Sequence, residues 1–391
     1  MIALDGVIRH YAWGSPTAIP ELLGVEPDGV PAAELWFGAH PDDPSPVRDH
    51  DTTLDALIAA APERLLGAAT VARFGAQLPF LLKVLAVDTA LSIQVHPTVE
   101  QARAGCAAED AAGIARDAPD RNYHDANHKP ELLCALTPFE ALCGFRPIED
   151  TLRLLDSWDV SELAPVRELL AGPDGVRAAF TALLTRDEPA PLVAAVVARA
   201  ASVAADDEWA GVARAVGLTA DDFPGDLGVV LGLLLNHVRL EPGEAIYLGA
   251  GTMHCYLRGT GVEVMANSDN VLRCGLTPKH IDLAGVLEVT DFRPLVEPRW
   301  PTEGGWFAVP VPDFELGALD LDAYLSKGGV ALGNPGQPYV LLCVEGRLGV
   351  EAGDARVYLS PGRAVFVPAR DAVFTVDGTG RGFAATVGSP G

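Results

Sequence analysis

The sequence predicts a mainly β chain with a helical insertion: two barrels of short strands, the second without a site of its own, plus an all-α domain. Three observations predict this. Residues 91–97 and 261–266 alternate apolar and polar side chains with the period of a half-buried strand. Between 147 and 225 the apolar spacing becomes helical. Residues 361–369 weakly repeat the pattern of 242–250. The expected division is therefore 1–146 with 226–300 for the first barrel, 147–225 for the insertion and 301–391 for the second barrel.

Residues 1–50 are rich in Gly, Pro and aromatics, including Tyr11-Ala12-Trp13-Gly14 and Glu34-Leu35-Trp36, and read as short strands and turns. Residues 51–75 read as a helix started by Asp51-Thr52-Thr53, with Leu54, Leu57 and Ile58 at helical spacing. A strand follows over 79–85, apolar except for Lys83. A buried ammonium needs a partner or a ligand, because its desolvation is costly. In 91–97, Leu91, Ile93 and Val95 share one face; Ser92, Gln94 and His96 share the other, and Pro97 ends the strand. Alone, this would also describe a half-buried strand whose polar face meets water. Residues 98–120 read as a surface helix, and 122–131 as a polar loop leading to a strand at Glu131.

In the insertion, Leu152, Leu154, Leu155, Val166, Leu169, Leu170, Phe180 and Leu183 keep helical spacing, and 191–205 is a strong helix candidate. It carries no chemical signature and is assigned a packing role. Strand texture returns at 238. Residues 242–254 hold a turn, a short strand, a glycine-rich bend and His254. The alternation over 261–266 puts Glu263 and Met265 on one face, with Val264 on the other. Thr277 as N-cap and Pro278 at the first helical position predict a helix start. Counting equally from Gly243 and Gly362 sets His254 against Val373, so the second barrel should lack the ligand.

The 391 residues suffice for two or three domains, and 49% are apolar. The formal net charge of −25 disfavours nucleic acid and anionic membranes as partners. Only four residues are lysine: Lys83, Lys129, Lys279 and Lys327; three fall in the most distinctive segments. Six scattered cysteines without a CxxC pair fit a reducing compartment. The N-terminus shows no basic region followed by an apolar one, so no signal peptide is expected. The longest apolar run, near 227–235, is too short to span a bilayer. The expectation is a cytoplasmic monomer acting on a small molecule.

Gln94, His96, Glu131 and His254 form a candidate metal site. Two imidazoles, a carboxylate and an amide oxygen suit zinc, and could also hold iron, manganese or cobalt. Such an ion remains net positive and polarises a hydroxyl or carbonyl oxygen. Around it, Lys83, Lys129, Arg273 and Lys279 would form a local cationic pocket, with Ser92 a further donor; that pocket suits a phosphate group. No glycine fingerprint for nucleotides is present, which favours a phosphorylated metabolite. Glu263 is the carboxylate free for proton transfer; an ion pair with Arg273 is the alternative.

These stretches, with Asn127-His128-Lys129-Pro130-Glu131, Gly249-Ala250-Gly251-Thr252-Met253-His254 and the run from Met265 to Lys279, resemble the type I mannose-6-phosphate isomerases along nearly the whole chain. The resemblance implies cupin-type jelly-roll barrels, the second degenerate. It implies zinc on Gln94, His96, Glu131 and His254. It also implies that Arg273, Glu263 and Lys129 are catalytic and that Ser92, Lys83 and Lys279 bind substrate. The implied reaction interconverts mannose 6-phosphate and fructose 6-phosphate through an enediol, with Glu263 as the favoured base and Lys129 its rival. Val264 stands where many relatives have cysteine, on the face away from Glu263. Two other classes fit a metal-binding cupin: an iron-dependent dioxygenase, which would want a third histidine in place of Gln94, and a non-catalytic sugar-phosphate sensor.

Overall fold

The structure, a computed structural model, describes residues 1–323, 329–371 and 373–388; Lys327 lies outside them. Helix and strand take comparable shares of it, so the expected mainly β character holds only in coarser form: a mixed helix-and-sheet chain with several antiparallel sheets.

The long strand His254–Ala266 organises the largest sheet. Its second half pairs with Phe80–Val87 on one side and Glu131–Ala135 on the other. Its first half leaves that sheet and pairs with Ile93–Val95 and Phe139–Phe145. One strand therefore serves two sheet faces, and the space between them is lined by both. Glu34–Gly38 lies beyond Phe80–Val87, and Leu272–Gly275 lies beyond Ile93–Val95.

Side-chain alternation divides the core into layers. Leu82, Val84, Leu132, Val262 and Val264 face outward and pack on Leu316, Val340, Leu342, Phe366 and Ala385 of the C-terminal sheet. Val264 thus faces away from Glu263, as expected from the alternation. Ile93, Val95, Leu142, Cys255, Leu272 and Cys274 face the other way. They share one core with the helices Ile148–Trp158, Gly175–Leu184, Ala190–Ala201 and Ala210–Asp222. Apolar burial at about 25 cal/mol per Å² is what holds these layers together.

Several local expectations are corrected. The segment 51–75 is three short helices, Leu54–Ala60, Pro62–Leu66 and Ala68–Phe74, because Pro62 and Gly67 interrupt it. The helix expected at Thr277 begins at Leu283 instead, capped by the Asp282 carboxylate, which accepts the Gly285 N–H. Leu276 has left-handed backbone angles, and the Thr277 hydroxyl accepts the Lys279 N–H in a local turn, which competes with helix formation. The first strand, Ile2–Leu4, pairs with Arg363–Val367, so the N-terminus joins the C-terminal sheet.

The C-terminal part has a six-stranded and a four-stranded sheet. Their shared interior holds Leu341, Leu348, Val350, Val365, Val367 and Phe374. Val373, matched to His254 by counting, is exposed, and Phe374 opens the next strand and is buried. The Phe374 ring fills the interior there, and among the described residues no group of metal-ligating side chains lies beside it.

Candidate metal centre

Strand register brings the candidate ligands together. Gln94 lies directly opposite His254 on one side and opposite Arg273 on the other. Glu131 lies opposite Met265, on the strand that His254 opens. His96 follows Val95 at the strand end and is fully buried.

The side chains of His96, Glu131 and His254 converge. Each imidazole Nε2 is 3.5 Å from a Glu131 oxygen, and the two ring centroids are 5.0 Å apart. The His96 Nδ1 donates to the Asn270 carbonyl at 2.8 Å and the His254 Nδ1 to the Thr252 carbonyl at 2.9 Å. Those bonds fix the tautomers and leave both Nε2 atoms as bare lone pairs. Burial pushes the His96 pKa down to about 4, so the ring is a neutral ligand at neutral pH. Burial opposes ionisation of Glu131, yet the neighbouring Lys129, 3.2 Å away, holds its carboxyl well below the usual range.

The decisive feature is three orphans. His96 Nε2, His254 Nε2 and Glu131 Oε2 are buried without a hydrogen-bond partner. Buried lone pairs facing one another are costly unless a cation sits among them. The donor set, N, N and O, fits zinc, and Gln94 stands in register opposite His254.

Beside these ligands lies a second buried group. Lys83 Nζ is 3.4 Å from Glu34, 3.6 Å from Glu263 and 4.9 Å above the Trp36 ring. Burial disfavours its charge, but the two carboxylates outweigh that and raise its pKa. Trp36 Nε1 donates to Glu34. Tyr256 donates to Glu263 at 2.9 Å. Burial, with Glu131 nearby, pushes the Glu263 carboxyl up to about 7. Its ion-pair partner is thus Lys83 rather than Arg273.

Arg273 is half-buried and Lys279 exposed; burial lowers both pKa values, and Arg273 further lowers that of Lys279. Among the described residues neither has an ion pair. Ser92 sits half-buried just before the strand, two residues from Gln94.

Glu34, Trp36, Tyr256 and Asn270 carry no site signal in the sequence alone. Glu34-Leu35-Trp36 stood out as a motif, and Tyr256 lies two residues from His254 on the same face. Asn270 is held by its own amide, which donates to the Asp125 and Asn127 carbonyls.

A cavity of about 1430 Å³ lies elsewhere, lined by His40, Asp125, His128, Asp269 and Asp313 among others. His40, Asp42 and Asp269 cluster at its wall. There the His40 Nδ1 already accepts the Asp42 N–H, and both carboxylates are open to water.

Residues 1–148 match the family model for the phosphomannose isomerase type I catalytic domain. The mannose-6-phosphate isomerase of Escherichia coli (strain K12) is 40% identical over 397 residues, covering 97% of this chain and 98% of that protein. The chain belongs to the type I phosphomannose isomerase family. A second member of the family, from Salmonella typhimurium, is 39% identical over 394 residues. The solved structure of a Salmonella typhimurium mannose 6-phosphate isomerase bound to substrate and zinc superposes with a TM-score of 0.89 at 37% identity, each chain covered in full.

Proposed function

We propose that this chain interconverts mannose 6-phosphate and fructose 6-phosphate with one zinc ion held by Gln94, His96, Glu131 and His254. The convergence of three orphaned buried ligand atoms carries the reading, and the family membership supports it. Zinc, when bound, polarises the substrate's oxygens. Arg273, which the resemblance implies to be catalytic, is read here with Lys279 as a phosphate ligand, the two being cations without ion pairs among the described residues of a strongly acidic chain; Ser92 is a further donor. Glu263 accepts and returns the proton that moves between C1 and C2; Lys83, beside it, holds the carboxylate and the developing charge of the enediol. Lys129 is paired with Glu131, which makes it the weaker candidate for the base.

The two sheets that share His254–Ala266 are read as the walls of a cupin-type jelly roll at 1–146 and 226–300. Residues 301–391 are read as a degenerate second barrel and 147–225 as the helical insertion; the buried core drawn from residues 319–384 alone supports the former, while the other two large cores cross these boundaries. No helix among the described residues is long and apolar enough to cross a membrane. The chain is read as a cytoplasmic monomer. A coupled assay for fructose 6-phosphate, run on protein as purified, after chelation and after zinc is restored, tests the reaction and the metal together. Turnover lost and regained is the expected result; no turnover with metal bound would overturn the reading.

A further inference from the structure

The helical insertion supplies no ligand to the site, yet its end touches the strand that carries Arg273. After the helix Ala210–Asp222 the chain turns back toward the sheet, and Asp226 sits at that return. Its Oδ1 accepts the N–H of Gly228 at 2.7 Å and of Leu276 at 2.9 Å, and its Oδ2 lies 3.4 Å from the Thr277 N–H. The backbones meet without intervening side chains: a Cβ on Gly275 would stand 2.8 Å from the Gly228 Cα, and one on Gly228 would stand 2.6 Å from the Leu276 nitrogen. One carboxylate therefore ties the end of the insertion to residues 276 and 277.

Those residues are the junction between Arg273 and Lys279, which have no ion pair among the described residues. Ladder pairing with Ile93–Val95 is regular through Arg273 and slips before Gly275, so a bulge follows the arginine. Bulges re-aim the neighbouring side chain and leave local backbone unpaired. Leu276 then takes a left-handed conformation, φ 52°, which a leucine holds only when its surroundings impose it. Downstream, the Thr277 hydroxyl accepts the Lys279 N–H at 3.1 Å. The strand thus fixes Arg273 from one side, and Asp226 fixes the segment leading to Lys279 from the other.

We propose that Asp226 is a positioning residue for substrate phosphate: it holds the bulged segment 273–279 so that Arg273 and Lys279 converge on one anion, which gives the helical insertion a function in substrate affinity. The inference rests on the reading of Arg273 and Lys279 as the phosphate-binding pair.

The test uses the zinc-loaded full chain. KM and kcat for mannose 6-phosphate, the competitive inhibition constant of inorganic phosphate, and bound zinc are measured for wild type, Asp226→Ala, Asp226→Asn and Thr277→Val. Asp226→Ala should raise KM and the phosphate inhibition constant together by about tenfold, roughly the net worth of one hydrogen bond. Its kcat should stay within about twofold and its zinc should be unchanged. Asp226→Asn, which keeps one acceptor oxygen, should fall between it and wild type. Wild-type KM and inhibition constant in Asp226→Ala would overturn the proposal, as would a fall in kcat at constant KM. Should Asp226→Ala fail to fold, Asp226→Asn and Thr277→Val must show the same paired rise, and its absence in both would overturn the proposal equally. Arg273→Ala is the control: if it leaves both constants unchanged, the phosphate reading itself has failed; if it raises them while Asp226→Ala does not, only the positioning role has.

Discussion

Replacing Glu263 with Gln tests the proposed base through both turnover and stability. The side chain is buried, 2% exposed, and in the metal-free chain burial and then Glu131 push its pKa from 4.5 to about 7. In the folded protein the carboxyl therefore keeps its proton over a range in which the unfolded chain has lost it. Stability from this group is fully present below pH 4.5 and is lost as pH rises through about 7. Two and a half units at 1.36 kcal/mol each amount to about 3 kcal/mol. Glu263→Gln cannot titrate. In chelated protein, wild-type stability relative to the variant should therefore fall by about 3 kcal/mol between pH 4.5 and pH 8, read by urea denaturation. A gap that stays constant with pH refutes the burial argument. In zinc-loaded protein the variant should lose about 10²- to 10⁴-fold in kcat with one zinc per chain retained. Bound zinc pulls the carboxylate in the same direction as Lys83, so the acid limb of wild-type kcat/KM should lie at or below pH 7. Activity within tenfold of wild type would remove Glu263 from the mechanism.

Two further predictions follow from the packing. Lys83→Met leaves Glu34 and Glu263 without their shared ammonium; breaking a buried pair in this way should cost about 3–5 kcal/mol and abolish turnover, while metal analysis still finds zinc because no ligand is touched. Gly67→Ala should destabilise the chain by a few kcal/mol with kcat and KM of the folded protein unchanged, since Gly67 has φ 86° and an added Cβ would stand 2.1 Å from the Gly336 carbonyl oxygen; denaturant melts and the coupled assay read the two effects separately.

The sequence by itself determined the donor types and their faces. A strand's period of two is local, so the placing of Gln94 and His96, the inward face of Glu263 and Met265, and the outward turn of Val264 could be read from a few neighbours. The need of Lys83 for a partner was legible from its apolar surroundings. Which partner it has was not: Glu34 and Glu263 meet it only through the register of Glu34–Gly38 and His254–Ala266 against Phe80–Val87, and register is set by contacts between distant segments. For the same reason Thr277 and Pro278 promised a helix that the chain does not form there, because Asp226 holds the backbone of Leu276 and Thr277 in another path. Counting set Val373 against His254, but Val373 is exposed and Phe374 is the residue buried between the two C-terminal sheets, since the length of a loop is not fixed by the strands on either side of it. The orphaned lone pairs of His96, His254 and Glu131 exist only once three separate segments are folded together. Local periodicity therefore set which candidate donors share a face, and the long-range strand pairing brought His96, Glu131 and His254 into one buried space.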